Sequence, residues 1–192
     1  MGISRRKFIR NTGISLAGAQ FLMSCGSNEL SPWKFLTIDE GKTLAFICEQ
    51  IIPEDDFPGA VKAGVLNYID NRLSSKYRDL KESYRNGLAS VEKSCNKING
   101  KNFSELSWDE QTGFLTRMEK NQLDDENWKD QKSSAFFEMV RKHTIEGYFG
   151  HPRYGGNKDF AGYRLLNYEY PELRGQNRYT DERFKNTNWK YE

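Results

Sequence analysis

Apolar residues recur every three or four positions along five stretches of the chain, the spacing that places side chains on one face of an α-helix. The stretches cover residues 37–52, 60–73, 77–98, 107–118 and 131–149. We expect the following residues to face the core: Leu44, Ile47, Cys48, Ile51, Ile52, Val61, Val65, Leu66, Ile69, Leu73, Tyr77, Leu80, Tyr84, Leu88, Val91, Cys95, Ile98, Phe114, Leu115, Met118, Phe136, Phe137, Val140, Thr144, Ile145 and Tyr148. No stretch alternates apolar and polar residues persuasively, as a half-buried strand does. The pattern predicts an all-α fold, a compact single-domain bundle of about five helices.

The ends of the predicted helices carry their own signals. Thr37 with Glu40, and Ser107 with Glu110, have the spacing of capping boxes, in which a hydroxyl and a carboxylate accept free amides at a helix start. Pro53 ends the first helix because proline has no N–H to donate. Two connections, residues 53–59 and 150–157, are rich in proline and glycine, and we expect both to be rigid loops.

The first 24 residues have a different character from the rest of the chain. Paired arginines, Arg5 and Arg6, precede the apolar Phe8, and a modest apolar run follows at residues 14–23. This layout resembles a bacterial twin-arginine export signal. The run ends in Leu-Met-Ser-Cys, which resembles a lipobox. It predicts that Cys25 is acylated and becomes the new N-terminus after cleavage.

Two other interpretations of this leader stay open. A charged start before an apolar run is also found in transmembrane anchors, although this run is far shorter than the roughly 20 apolar residues that a span requires. Cys25 could instead be an ordinary cysteine near a cleavage site. The polar Gly-Ser-Asn sequence directly after it favours acylation.

The leader and the helical pattern together predict four parts of the chain. They are a signal peptide at 1–24, a lipid-anchored tether at 25–36, a helical domain at 37–173 and a polar tail with aromatic residues at 174–192. We therefore expect a membrane-anchored lipoprotein of the bacterial periplasm or cell envelope, exported by the twin-arginine pathway.

Removing the leader reverses the sign of the net charge. Four of the 29 Lys and Arg residues lie in the leader and no acid does, so 25 basic residues remain against 27 acidic ones, and the formal charge changes from +2 to −2. No basic patch remains that would indicate nucleic-acid binding. Aromatic residues make up 14% of the chain, although apolar residues in total reach only 36%. We expect a core built largely from rings.

Few side chains of this sequence suit catalysis. His143 adjoins an apolar helix stripe and is predicted to pack or cap, whereas His151 is predicted to hold its loop through a hydrogen bond. The Tyr-Gly-Gly-Asn run at 154–157 resembles a phosphate-binding turn only superficially, because no dinucleotide or P-loop motif surrounds it. The three successive acids at 54–56 do not alternate as calcium ligands do. We predict no catalytic, cofactor-binding or metal-binding residue in this chain.

The remaining cysteines and the two rigid loops complete the candidate chemistry. Cys48 and Cys95 fall on predicted core faces, and the sequence leaves open whether they form a disulfide. There is no C-x-x-C-H motif for covalent haem and no zinc motif. Fixed loops that carry aromatic rings suit protein recognition. The residues predicted to contact a partner are Pro53, Asp56, Phe57, Pro58, His151, Pro152, Arg153, Tyr154, Gly155, Gly156 and Asn157.

Three blocks of sequence carry a further signal. The first reads IIPEDDFPGA at 51–60, with AGV at 63–65 and YID at 68–70; the second reads YRNGL at 84–88; the third joins FF at 136–137, TIEGYF at 144–149, HPRYGGN at 151–157 and GYRL at 162–165. In this order they resemble the gluconate 2-dehydrogenase subunit 3 family, the small subunit of membrane-associated flavoprotein dehydrogenase complexes. The resemblance spans roughly residues 37–168.

This resemblance implies an escort and structural partner rather than a catalyst. The expected partner is a large FAD-containing dehydrogenase of the glucose-methanol-choline class that acts on a sugar or polyol and often has no export signal of its own. A cytochrome c subunit carrying haem c commonly accepts the electrons. FAD would belong to the large subunit, with no cofactor in this chain. Tyr163 occupies a position where the family often has tryptophan, and the tail at 174–192 is not explained by the family pattern.

Two alternative functions stay open at this point. The chain could be a sugar oxidoreductase by itself, with His151, Arg153 and Tyr154 in the active site. It could also be a free surface lipoprotein that binds a ligand.

Overall fold

The computed structural model describes residues 31–123 and 126–168. Within these ranges the chain forms six α-helices and no strand, which confirms the all-α prediction. The helices are α1 (Ile38–Ile51), α2 (Val65–Leu73), α3 (Lys81–Asn99), α4 (Trp108–Glu119), α5 (Ser133–Phe149) and the short α6 (Ala161–Leu165). The predicted export residues Arg5, Arg6 and Phe8, the acylation site Cys25 and the tail at 174–192 lie outside the described residues.

Helix α5 is the centre of the bundle. It contacts α1, α2, α3, α4 and α6, while α1 contacts α2, α3 and α4 in turn. Phe136, Val140 and Thr144 of α5 are completely buried, and the Thr144 hydroxyl donates to Cys48 Sγ of α1 at 3.2 Å. Elements attached to α5 are therefore fixed relative to the whole core.

Both predicted capping boxes are present. The Thr37 hydroxyl accepts from the Glu40 amide at 3.2 Å, and the Glu40 carboxylate accepts from the Thr37 amide at 2.9 Å. Ser107 and Glu110 form the same reciprocal pair at the start of α4. These bonds satisfy amides that have no partner inside the helix.

The second helix begins later than the sequence predicts. The periodicity indicated a start near Ala60, but α2 begins at Val65. Gly64 precedes it with a φ of 75°, a left-handed conformation that interrupts a right-handed helix and that glycine adopts at little cost. As a result Val61 lies on a separate turn and is 46% exposed, so its predicted burial is wrong.

Two other residues predicted to be inward are exposed. Ile145 follows the buried Thr144 by one position, which is about 100° around the helix, and it is 40% exposed. Ile98 lies in the last turn of α3, just before the left-handed Gly100, and is 43% exposed. The periodic pattern therefore identified the correct helices but assigned too many residues to their buried faces. A 3-10 turn at Arg78–Leu80 also precedes α3, so no continuous α-helix starts at Tyr77.

The segment before α1 contacts the helical body. The Asp70 carboxylate of α2 accepts from three successive backbone amides, those of Lys34, Phe35 and Leu36, at 2.8–3.1 Å. Leu36 is 1% exposed, and Trp33 packs against Gly41 of α1. Residues 33–36, which were predicted to belong to the tether, therefore pack on the helical body.

The structure shows whether Cys48 and Cys95, which both lie in its described part, form a disulfide. Cys48 and Cys95 are buried and unpaired. Burial raises the pKa of each thiol to about 12, so both stay protonated and unreactive at neutral pH. None of the helices in the described part of the chain combines the length and the apolar character that crossing a membrane requires.

Candidate partner-binding surface

The first predicted loop, residues 53–59, is called the acidic loop here. It carries Glu54, Asp55 and Asp56, all of which are exposed. The Asp55 amide donates to the Phe57 carbonyl at 3.1 Å, and the Asp55 carboxylate accepts from the Phe57 amide at 3.0 Å. This reciprocal pair closes a tight turn and holds the Phe57 ring half-buried at the surface. Glu54 also forms an ion pair with Lys62.

Glu49, near the end of α1, supports the acidic loop from below. Its carboxylate accepts from the Glu54 amide at 3.1 Å and from the Val61 amide at 2.9 Å, and so joins both ends of the loop. Burial of the carboxylate raises the pKa of Glu49, an effect that exceeds the opposing contribution of these two hydrogen bonds. The loop geometry thus depends on one partly buried carboxylate.

The second predicted loop, residues 150–157, is called the glycine loop here. His151 precedes a 3-10 turn at Pro152–Tyr154, and its Nδ1 accepts from the Arg153 amide at 3.2 Å. This bond confirms the prediction that His151 holds its loop. Burial lowers the pKa of His151, and the positive charge of Arg153 lowers it further. The lowered pKa favours the neutral imidazole, whose Nδ1 can accept this hydrogen bond.

Asn157 closes the glycine loop from inside. It is fully buried and adopts a φ of 48°. Its side-chain amide donates to the Gly150 carbonyl at 2.8 Å, while its side-chain oxygen accepts from the Gly162 amide of α6 at 2.8 Å. One asparagine therefore joins the end of α5, the glycine loop and α6.

Both loops contact the last turns of α5. The Tyr148 hydroxyl donates to the Pro58 carbonyl of the acidic loop at 2.6 Å. Gly156 of the glycine loop lies so close to the Gly147 carbonyl that a Cβ at position 156 would be 2.2 Å from this oxygen, which only glycine permits. The Lys158 amide, just after the glycine loop, donates to the Ala63 carbonyl at 2.9 Å. The two loops are thus held to one common support.

The predicted contact residues differ in their access to solvent. Asp56 and Arg153 are exposed. Six others are half-buried: Pro53, Phe57, Pro58, His151, Tyr154 and Gly155. Pro152, Gly156 and Asn157 are buried, so they shape the glycine loop from inside. Partner contact by the accessible residues stays a prediction.

A group of aromatic and charged residues next to the glycine loop was not predicted. The Arg72 guanidinium carbon Cζ of α2 lies 4.0 Å from the Tyr154 ring centroid, 5.3 Å from that of Tyr68 and 5.9 Å from that of Tyr77. Cations at these distances are attracted to the faces of aromatic rings. Tyr68 and Arg72 are four residues apart on α2, a spacing that pairs side chains on one helix face, but nothing in the sequence connects them to Tyr154.

Glu146 of α5 organises the tyrosines of this group. Its carboxylate accepts from the Tyr77 hydroxyl at 2.7 Å and from the Tyr68 hydroxyl at 3.1 Å. Partial burial acts against ionisation of Glu146, but these hydrogen bonds outweigh it and the pKa of Glu146 is lowered. His143 stacks on the Tyr77 ring at a centroid distance of 4.5 Å.

His143 has the structural role that its position in the sequence predicted. It is 4% exposed, and its Nδ1 lies 2.8 Å from the Tyr84 hydroxyl. Burial lowers the pKa of His143 and favours the neutral ring. The ring is thus enclosed by packing and hydrogen bonding within the core.

A comparison with known protein families gives the decisive observation. The family model described as gluconate 2-dehydrogenase subunit 3 matches residues 38–170, more than two thirds of the chain. The chain belongs to the gluconate 2-dehydrogenase subunit 3 family. No curated protein and no solved structure gave a match. Membership of this family indicates an accessory subunit of a dehydrogenase complex that associates with the catalytic subunit.

The three residues that the sequence offered for an active site of this subunit 3 chain lie in the glycine loop. His151, Arg153 and Tyr154 do lie together, and Arg153 donates to the Tyr154 hydroxyl at 2.5 Å. His151 Nδ1, however, is used by the Arg153 amide. Residues 31–123 and 126–168 contain no group of three or more His, Cys, Asp or Glu side chains placed to hold a metal ion.

Proposed function

We propose that this chain is the non-catalytic small subunit of a periplasm-facing dehydrogenase complex that oxidises a sugar or polyol. Its partner is an FAD-dependent large subunit of the glucose-methanol-choline class, and a cytochrome c subunit with haem c can accept the electrons. The family match over residues 38–170 carries this proposal. The large subunit supplies the FAD, and this chain supplies a binding surface.

We further propose that this chain escorts its partner to the periplasm and retains it there. The twin-arginine pattern at Arg5 and Arg6 supports an export route that accepts folded, cofactor-loaded proteins. A large subunit without its own leader would be carried along with this chain. The lipid on Cys25 would then hold the complex at the membrane, with a second acyl chain or a protein contact giving lasting attachment.

The acidic and glycine loops are the surface through which this chain binds the large subunit. Their fixed turns and their shared support on α5 favour this role, because a preorganised surface loses little conformational entropy on binding. Half-buried rings such as Phe57 and Tyr154 are the kind of residue that dominates binding energy at protein interfaces.

Export of the large subunit tests this function directly. We expect large subunit with bound flavin in the periplasm when the full chain is coexpressed and almost none when it is absent. Replacing Arg5 and Arg6 together by lysine keeps the charge of the leader but removes the paired arginines, and we expect export to be lost. Equal periplasmic flavoprotein in all three strains would contradict the proposed escort role.

Membrane retention is a separate measurement on the same strains. With Cys25→Ala we expect the complex to be exported but recovered in the soluble periplasmic fraction, whereas the neighbouring change Ser27→Ala should leave it with the membrane. A Cys25→Ala complex that remains membrane-bound would exclude the lipid as the anchor. Sugar oxidation by the purified chain alone, with an artificial electron acceptor, would show that it is itself an enzyme.

A further inference from the structure

An open groove of about 220 Å³ lies on the side of the bundle, between α1, α4 and α5. Each of these helices contributes an apolar side chain to its lining: Ile51, Leu115 and Phe137. Leu115 is 5% exposed and Phe137 is 9% exposed, whereas Ile51 is half-buried. The groove therefore reaches the edge of the hydrophobic core.

Polar side chains that line the groove are held by other residues of the chain. The Gln50 side-chain amide donates to Gln111 Oε1 at 3.0 Å, and its side-chain oxygen accepts from the Thr112 hydroxyl at 2.9 Å. The Arg141 guanidinium donates twice to the Glu138 carboxylate of its own helix at 2.8 Å. Because these groups already have partners, an incoming group gains most from contact with the apolar lining.

The groove has the size of one side chain. A cavity of about 150 Å³ holds a benzene ring, whereas sites for small-molecule ligands and cofactors typically measure about 300–1,000 Å³. The groove lies between these two sizes. An apolar centre surrounded by polar side chains is also the arrangement in which single anchor residues bind at protein interfaces. One large apolar side chain of another protein segment is therefore the occupant that fits.

Ile145 connects the groove to the acidic loop. It lies on α5 one turn after Arg141, which lines the groove, and one turn before Tyr148, whose hydroxyl binds the acidic loop. On α1, Ile51 lines the groove and lies two residues before the acidic loop begins. Ile145 is 40% exposed, although the apolar pattern of α5 predicted that it faces inward. The groove, Ile145 and the acidic loop are thus neighbours along both helices.

We propose that the groove between α1, α4 and α5 receives one large apolar side chain of the catalytic subunit, and that Ile145 packs against the residues beside that side chain. Family membership supplies this partner. Continuity with the acidic loop places the groove at the edge of the surface that is proposed to bind it. This inference rests on the proposed function and adds an apolar anchor to the interface.

Two isoleucines of similar exposure give a matched test. Ile98, in the last turn of α3, is 43% exposed, close to the 40% of Ile145. The catalytic subunit is released from the wild-type complex, and its dissociation constant is measured with the full chain carrying Ile145→Ser or Ile98→Ser. We expect Ile145→Ser to weaken binding roughly 5–20-fold, because apolar area that is buried on binding is lost. Ile98→Ser should bind as the wild type does.

Filling the groove is a second test. Thr116 lines the groove from α4 and is half-buried. Thr116→Trp places a large ring at the groove, and we expect roughly 10–100-fold weaker binding because the side chain of the partner is excluded. Thr116→Ala leaves the groove open and should bind as the wild type does. The melting temperature of each free variant checks its folding, and if Thr116→Trp does not fold, the two isoleucine variants decide the question.

The heat capacity of binding identifies an apolar contact. Burial of apolar surface makes the heat-capacity change of binding negative. By titration calorimetry at several temperatures, we expect a less negative value for Ile145→Ser than for Ile98→Ser and the wild type. Equal values in all three proteins would contradict burial of Ile145 in the complex.

The possible failures are distinguishable. If the wild-type complex contains no flavoprotein, the proposed function is wrong before any variant is compared. If the wild type binds its partner, and Ile145→Ser and Thr116→Trp bind it equally well, the groove contact is overturned and the accessory role stands. If the free chain is a dimer that Ile145→Ser dissociates without changing the affinity for the catalytic subunit, a second copy of this chain is the occupant and the inference is likewise overturned.

Discussion

The acidic loop and the glycine loop rest on the same end of α5, yet they are built in different ways. The acidic loop is joined at both ends by one carboxylate, Glu49, which belongs to another element and lies partly in solvent. The glycine loop is closed from inside by Asn157, which is fully buried and in a left-handed conformation. The side-chain amide of Asn157 does not titrate, whereas the Glu49 carboxylate gains a proton at low pH, so of these two supports only that of the acidic loop depends on pH.

The two loops also differ in charge. The acidic loop presents three carboxylates to solvent. The glycine loop presents Arg153, next to Arg72 of α2. The proposed contact of both loops with the catalytic subunit therefore brings together surface groups of opposite charge. Opposite charges on one binding surface fix the orientation of the partner as well as its affinity.

The largest effect is expected from opening the glycine loop. Asn157→Ala removes two buried hydrogen bonds and places alanine at a positive φ. We expect a loss of about 3 kcal/mol in the free energy of unfolding, which lowers the melting temperature by roughly 6–12 °C. The control is Asn167→Ala, an exposed residue with a φ of 51°, which should cost only the conformational part. Equal effects of the two changes would mean that the buried bonds contribute nothing.

A smaller effect is expected from the support of the acidic loop. Glu49→Gln keeps one acceptor oxygen but turns the other into a donor that faces a backbone N–H. We expect a loss of about 1–2 kcal/mol, together with faster hydrogen exchange at the amides of Glu54 and Val61. Exchange at the Arg153 amide should stay unchanged, because Asn157 and His151, and not Glu49, hold the glycine loop. Faster exchange in both loops would show that they open as one unit.

The smallest effect concerns the pH dependence of the glycine loop. The pKa of His151 is lowered, so its contribution to stability is present above its ordinary value of about 6.5 and is lost as the pH falls through the folded-state pKa. Between pH 7.5 and 5.0 we expect the melting temperature of His151→Gln to fall about 1–2 °C less than that of the wild type. An identical pH dependence in both proteins would exclude His151 as a contributor. The lowered pKa of His143 is common to both and cancels in this difference.

The sequence was most informative where a local signal fixes the structure. Capping boxes, Pro53 and the helical periodicity depend on residues close together in the chain, and the helices they predicted are present. The start of α2 was misplaced because Gly64 permits a turn without requiring one. The hydrogen bond of His151 was predicted for the same local reason, since its donor is two residues away.

The features that could not be predicted from the sequence are contacts between residues that lie far apart in the chain. Arg72 and Tyr154 meet only because α2 and the glycine loop lie side by side in the fold. The contact of Asp70 with three amides at 34–36 is equally non-local, so the assignment of these residues to the tether did not anticipate it. An arginine near the end of a predicted helix is ordinary in sequence, and its significance comes from the rings around it.

The hydrogen bonds between Asp70 and residues 34–36 also affect how the domain responds to a pulling force. Tension arriving from the N-terminal side of the chain meets three hydrogen bonds to α2 and the buried Leu36 before it reaches the first turn of α1. The force is therefore transmitted to α2 through Asp70, and it does not act on the first turn of α1 alone. Only six residues lie between Cys25 and Pro32, and the seven Cα–Cα steps from one to the other span at most about 25 Å. With the proposed lipid on Cys25, this short segment would keep the complex close to the bilayer.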